Sequence, residues 1–512
     1  MAPMPRERGG ASARGTRGKK GRYIDAMAVL APSQPLTERS ATDLARAIRT
    51  RETSSREIVE AHIERIEHMH ERINAVVVDR FDAARADADA DDEVVATTSD
   101  PDELPPFHGV PCTIKESIAM AGMPNCAGLV SRNQYRSTEN APVVQRVIDA
   151  GAIPLGVTNT PELCLWIETE NREYGRTNNA YSAKRTAGGS SGGEGAVIGS
   201  GGSPMGLGAD IGGSIRLPAF FNGIFGMKPS PGVVPSTGQF PTTHTEIAAH
   251  MLTIGPLVRR AEDLYPLLKV IAGPDNIDPY MREVTLKDPA DVSIEGMKIL
   301  LSEGTSYIKV SRELRAARLR AAEALEKAGA VVETVPMKSM RKAMELYLAV
   351  LKLEAGVSVA ELIVAEGSAA MNLRSGLRRK GPHTRALRLL LMSEWLTGKM
   401  PQGRLRKAAA MRDAFAEEVA GLIGDGVLLH PPHPRVAPRH GQTVGKPWLL
   451  TTTAVFNLAG TPVVQIPLGL NKQGLPLGVQ AAAGPDNDHL AIAVALELER
   501  AFGGWVPPTD PR

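Results

Sequence analysis

Apolar residues fall at helical spacing behind two polar starts near residue 40. Ser40 is placed to cap a helix whose inner face is Leu44, Ala47 and Ile48. Ser54 and Glu57 have the spacing of a capping box, and the stripe that follows is Ile58, Val59, Ile63 and Ile66. Residues 85–106 are rich in alanine and aspartate and close on Pro105-Pro106, which reads as a helix end and an exposed loop. The apolar run 107–114 reads as the end of a buried strand, with Lys115 directly after it. A helix is predicted over 143–150 and a strand over 153–157. Strand, helix and strand recur at 298–302, 312–328 and 330–335. Residues 337–424 lose the strand signal and read as mostly helical. Strands return at 427–429, 463–468 and 477–481, before a last helix over 488–502. This alternation predicts an α/β fold. No internal repeat is evident, so 34–512 is expected to be a single domain with 337–424 as a helical insertion.

Composition narrows the class. The chain has 512 residues, ample for a large core, and a net charge of only +2. No global basic field exists to gather nucleic acid. Three cysteines, Cys112, Cys126 and Cys164, are too few and too irregular for a disulfide framework or a zinc site. A reducing, cytoplasmic setting is therefore expected. No apolar run is long enough to span a membrane. Residues 1–22 carry seven Lys/Arg and one Glu, and the apolar part at 26–31 is too short for a signal peptide. Residues 1–33 are expected to be a disordered basic tail, with Met27 an alternative start. Residues 374–407 hold ten Lys/Arg and one acid, Glu394, around the apolar run 387–396.

The candidate chemistry lies in a glycine-rich stretch. Gly188-Gly189-Ser190-Ser191-Gly192-Gly193 and Gly212-Gly213-Ser214 flank a short apolar segment. Glycine at this density loses backbone entropy on folding, so it belongs where backbone N–H groups approach something closely. Hydroxyls on such loops suggest a nucleophile and a helper beside an oxyanion site. Both Gly188-x-Ser190-x-Gly192 and Gly189-x-Ser191-x-Gly193 fit a nucleophile elbow. The residues before them, 181–187, make a poor buried strand, and His430, His433 and His440 sit in a proline-rich loop. Neither a P-loop nor an HExxH motif is present. Lysine offers another base if burial keeps it neutral, and Lys115 suits that demand. On spacing alone, though, a lysine at a strand end is usually a surface charge.

The motifs together resemble the amidase signature family. They are Gly109-Val110-Pro111, Ile114-Lys115-Glu116, the run from Gly188 to Gly195, and the segment from Ala209 to Arg216. Tyr174 to Asn179, Phe220 to Gly226, Lys228 to Gly232, Gly474 to Gln480 and Phe502 to Val506 extend the likeness. Over about 36–512 the chain is most similar to the fatty-acid amide hydrolases of that family, in particular the type-two enzyme. The resemblance implies a mixed β-sheet core covered by helices on both faces. It implies an acyl-enzyme on a Ser-Ser-Lys triad: Ser214 as nucleophile, Ser190 as proton relay on a cis peptide, and Lys115 as base. The N–H groups of Ile211, Gly212, Gly213 and Ser214 would form the oxyanion hole, with Gly212 and Gly213 leaving room for the carbonyl. Asp210 and Arg216 would support the loop, and Ser191 would add a hydrogen bond behind it. No metal or organic cofactor is needed. Leu163 and Cys164 match a stretch that lines the acyl channel, so they are expected to contact substrate.

The implied partner is a small-molecule amide with an apolar acyl group, and no nucleic acid. Rival readings are a small-amide or aryl-amide amidase, the amidase subunit of a tRNA amidotransferase, and a catalytically silent binding protein on the same fold. Residues 374–407 read as a peripheral membrane contact, a homodimer contact or a solvated helix pair.

Overall fold

The computed structural model describes residues 34–243, 245–303, 309–337, 340–354, 358–368, 381–397, 403, 406–407 and 410–509. The expected basic tail, Met27, Arg378, Arg379 and Lys380 lie outside them. Local signals near the start act as read. Ser40 Oγ accepts from the Asp43 amide ahead of the Ala41–Arg49 helix. Ser54 and Glu57 form the reciprocal box at the head of Ser55–Ile73.

Among the described residues, eleven strands make one mixed sheet. They are β1 (Val76–Asp79), β2 (Pro111–Lys115), β3 (Ile153–Thr158), β6 (Met205–Asp210), β7 (Phe225–Lys228), β8 (Thr253–Val258), β9 (Lys298–Glu303), β10 (Val331–Pro336), β11 (Val427–His430), β12 (Val463–Leu470) and β13 (Pro476–Ala483). Their order is β1-β3-β2-β6-β8-β7-β12-β13-β11-β9-β10. β4 (Asn178–Asn179) and β5 (Ser182–Thr186) form a separate two-stranded ribbon. The stretch before the glycine loop is therefore a partly exposed ribbon, not a buried strand.

β2 runs parallel to both β3 and β6. Parallel strands flanked on both sides are buried on both faces. Every residue of β2 is accordingly buried, Lys115 included. β6 reads Met-Gly-Leu-Gly-Ala-Asp, a weak strand sequence by propensity. Its glycines are demanded by packing: a side chain at Gly206 would collide with the Glu194 carboxylate, and one at Gly208 would lie 2.8 Å from Ser191 Oγ. The helix Gly192–Gly199 is poor in helix propensity for the same reason. A Cβ on Gly195 would lie 2.8 Å from Pro218.

The segment 337–424, expected as an insertion, carries the helices Met340–Glu354, Val359–Ala365, Arg385–Thr397 and Arg412–Ile423 among its described residues. Val350, Leu346 and Tyr347 pack with Phe456, Val455 and Leu428, joining the first of these helices to the core.

Candidate active site

Lys115 ends β2 inside the sheet, where it is 1% exposed. Its Nζ donates to Ser190 Oγ at 2.7 Å and lies 3.4 Å from the Ala209 carbonyl. Burial pushes the ammonium pKa below that of an ordinary lysine, against the opposing pull of Cys164, Asp210 and Glu194. A buried amine within hydrogen-bond reach of a hydroxyl can act as its base.

The loop bearing Ser190 is held by backbone contacts that tolerate no side chains. Gly188 sits at φ +89°, and Gly189–Ser190 is a cis peptide. A Cβ on Gly188 would lie 2.8 Å from the Pro218 backbone. The Gly188 amide donates to Thr186 Oγ1, and its carbonyl accepts from Thr169 Oγ1. The Ser191 amide donates to the Ser214 carbonyl at 3.1 Å, so the two serine loops are joined directly. Ser191 Oγ itself sits 3.4 Å from both the Ala209 carbonyl and its amide.

Ser214 lies between the end of β6 and the Arg216–Phe221 helix and is half-buried. Asp210 and Arg216 brace this turn. Arg216 donates through Nε and Nη2 to the two Asp210 oxygens at 3.0 and 2.9 Å, with both side chains fully buried. Its remaining donors reach Thr453 O, Gln480 Oε1 and Asn457 Oδ1. Burial alone would raise the Asp210 pKa. Arg216, Asn457 and backbone donors reverse this and hold the carboxyl well below its ordinary value.

The Asp210 carboxylate also takes the Gly213 amide at 2.7 Å and the Ile215 amide at 3.0 Å. This corrects one expectation. The Gly213 N–H faces inward and braces the loop, so it is not free to meet a substrate oxygen. Among the described residues the amides of Ile211, Gly212 and Ser214 have no protein acceptor. The reason for the glycines also differs from a need for substrate room alone. A side chain on Gly212 would strike the Tyr347 hydroxyl. Gly213, at φ +129°, would strike Thr453, whose Oγ1 donates to the Gly212 carbonyl at 2.6 Å.

Tyr347 reaches this loop from the insertion and donates to the Ile211 carbonyl at 3.2 Å. Sequence reading missed it, as it missed Thr453 and Asn457, because only the fold brings them here. Glu194 was legible only as part of a motif. It lies behind Lys115, accepts from Thr113 Oγ1 and Thr158 Oγ1, and burial pushes its carboxyl up to about 8.

The two channel candidates part company. Cys164 is half-buried, with Sγ 3.2 Å from Thr160 Oγ1. Leu163 is 0% exposed and packs among Phe240, Ile363, Leu387 and Leu391. Enclosed in this way, it presents no surface to a ligand in this structure. The histidines of the elbow reading are occupied elsewhere. His430 pairs with Ser302 Oγ, His433 with the Arg435 carbonyl and His440 with the Ala183 carbonyl. Among the described residues, no histidine hydrogen-bonds to Ser190, Ser191 or Ser214, and no cluster of His, Cys, Asp and Glu could hold a metal ion.

A buried lysine thus donates to a serine of one glycine loop, which is tied to a second serine loop. The amidase family matches residues 57–492, and the chain belongs to it. It is 40% identical to fatty-acid amide hydrolase 2-B of Danio rerio over 93% of this chain and 92% of that protein. It is also 40% identical to fatty-acid amide hydrolase 2 of Homo sapiens, over 93% and 91%. A solved structure described as a vestigial protein complex bearing on the origins of an s-triazine catabolic enzyme superposes with TM-score 0.79 at 28% identity, covering 91% of this chain and 99% of that one. The protein is thus an amidase, hydrolysing carbon–nitrogen amide bonds.

Proposed function

We propose that the reaction runs through Lys115, Ser190 and Ser214 on amides with an apolar acyl group. The observation that carries the assignment is the 2.7 Å bond from Lys115 Nζ to Ser190 Oγ in a buried setting. Neutral Lys115 takes the Ser190 proton as Ser190 takes that of Ser214. Ser214 Oγ bonds to the substrate carbonyl carbon, and the carbonyl electron pair moves to oxygen. The Ile211, Gly212 and Ser214 amides are the donors disposed to meet that oxyanion, worth about 2.7–4 kcal/mol each where such donors have been removed from other hydrolases. On collapse the carbon–nitrogen bond breaks, and the amine leaves with the proton returned through Ser190. Water then enters by the reverse route and releases the acid.

Two observations support an apolar acyl group. Both fatty-acid amide hydrolase 2 relatives match nearly end to end. The turn carrying Cys164 is backed by the apolar cluster around Leu163. Each buried methylene contributes roughly 0.8 kcal/mol, so kcat/KM is expected to climb steeply from acetyl to medium and long acyl amides of one amine. A flat or falling series would assign the enzyme to small or aryl amides.

Among the described residues no helix is long and apolar enough to cross a membrane. Exposed Arg385 and Leu389, within the basic stretch, support a peripheral contact with anionic lipid. Salt-sensitive sedimentation with phosphatidylserine vesicles tests this contact. No binding at low salt would leave a solvated or oligomeric face.

A further inference from the structure

The short turn Glu162–Cys164 has two neighbours. On one side, the chain just beyond it passes the Ser190 loop, where a Cβ on Gly189 would strike the Trp166 carbonyl. On the other, Leu163 is enclosed by the insertion. Leu163 and Cys164 both hold left-handed backbone, at φ +56° and +59°. That conformation is unfavourable for residues other than glycine, so surrounding contacts must impose it.

The Leu163 amide donates to the Ala127 carbonyl at 2.8 Å, and the turn's tie to the helical segment is Glu162, which is 3% exposed. One carboxylate oxygen accepts from His383 Nδ1 at 2.6 Å, and the other accepts from the Thr384 amide at 2.8 Å. Thr384 in turn caps the Arg385–Thr397 helix, its Oγ1 accepting from the Leu387 amide. The His383 ring is buried, and among the described residues its Nε2 has no partner, leaving Glu162 as the ring's polar anchor there. A carboxylate at a helix start also meets the positive end of the helix dipole. The same helix then places Leu387 and Leu391 against Leu163. A second tie, Arg132 Nη1 to Glu366 at 2.6 Å, holds the Val359–Ala365 side of the insertion to the core.

We propose that Glu162 and His383 are positioning residues that set acyl-chain selectivity. Together they lock the Glu162–Cys164 turn to the Arg385–Thr397 helix and so fix the wall along which an acyl chain lies. The inference rests on the reading that the substrate's acyl group is apolar.

The test compares kcat/KM for decanoyl and acetyl p-nitroanilides in the full-length enzyme. His383→Leu and Glu162→Ala should each lower the decanoyl-to-acetyl ratio by roughly tenfold or more, carried by the KM of the long substrate. The double variant should lose no more than about twofold beyond either single one, because the two groups act as a unit. His383→Asn, whose amide stands where Nδ1 stood, should restore the ratio to within about threefold of wild type. His383→Gln moves the donor to the Nε2 position, so it should show the loss even if His383→Leu fails to fold. Acetyl and decanoyl rates falling in step, or losses that multiply in the double variant, would overturn the proposal. Amide hydrogen exchange separates this from failure of the substrate reading. If wild type shows no preference for long acyl groups, the clamp still predicts joint loss of protection at 158–166 and 385–393 in Glu162→Ala. Unchanged protection at 385–393 would overturn it.

Discussion

Replacing Lys115 by methionine keeps an unbranched stem one atom shorter and removes the amine from a site only 1% exposed. Ser190 Oγ then loses its donor at 2.7 Å, and the Ala209 carbonyl loses the weaker contact at 3.4 Å. If the amine is the general base, the loss in kcat/KM should be about 10²–10⁴-fold. That corresponds to about 2.7–5.4 kcal/mol in the barrier. The pH dependence has a definite sign. Burial lowers the Lys115 pKa, and the neutral amine is the active form. Wild-type kcat/KM should therefore rise with pH through that lowered pKa and then level off, and the rising limb should vanish in Lys115→Met. Stability carries a second signature. Between the lowered folded pKa and the unfolded value of roughly 10.4, the unfolded chain binds more protons, so wild-type stability rises with pH across that window. The methionine variant should lack that slope. Kinetics in a multi-pH buffer with a p-nitroanilide, paired with urea unfolding at each pH, read both effects. A rising limb that survives in Lys115→Met would refute the assignment of lysine as base.

Two further predictions concern the Ser214 loop. Asp210→Asn leaves Arg216 as a buried cation without its counter-charge and should cost about 3–5 kcal/mol, read as a lower urea midpoint. The Asp210 pKa is depressed in the fold, so its contribution is present above the unfolded value of about 3.9 and lost as pH falls through the folded pKa; the acid-side slope should shrink in the variant, and an unchanged slope would contradict the pairing. Gly213→Ala puts a Cβ at φ +129° against Thr453 and should cost roughly 1–3 kcal/mol in strain alone, with loss of turnover. Wild-type kcat/KM in that variant would show that the loop relaxes freely.

Local rules explain what could be read from the chain. The caps at Ser40 and Ser54 depend on residues three positions apart, and both form as read. Strands such as β3, β9 and β12 are apolar runs with a helical pattern on one side. β6 and the Gly192–Gly199 helix could not be read this way, because glycine opposes both states and is justified only by Glu194, Ser191 and Pro218 across the fold. Lys115 resembled a surface charge because spacing cannot tell a sheet edge from a sheet centre, and β2 lies between two parallel neighbours. Tyr347, Asn457 and His383 stand more than 100 residues from the loops they touch. Leu163 was expected to contact substrate but is buried, since the helices that enclose it carry no local signal pointing back to it.

The central claim is that Ser214 is the nucleophile and the Ser190 loop serves it. Covalent labelling with a fluorophosphonate, followed by peptide mapping, tests this most directly. The account predicts a single adduct on Ser214, absent in Ser214→Ala and slowed in Ser190→Ala and Lys115→Met. An adduct on Ser190 or Ser191, or undiminished labelling in Ser214→Ala, would contradict it.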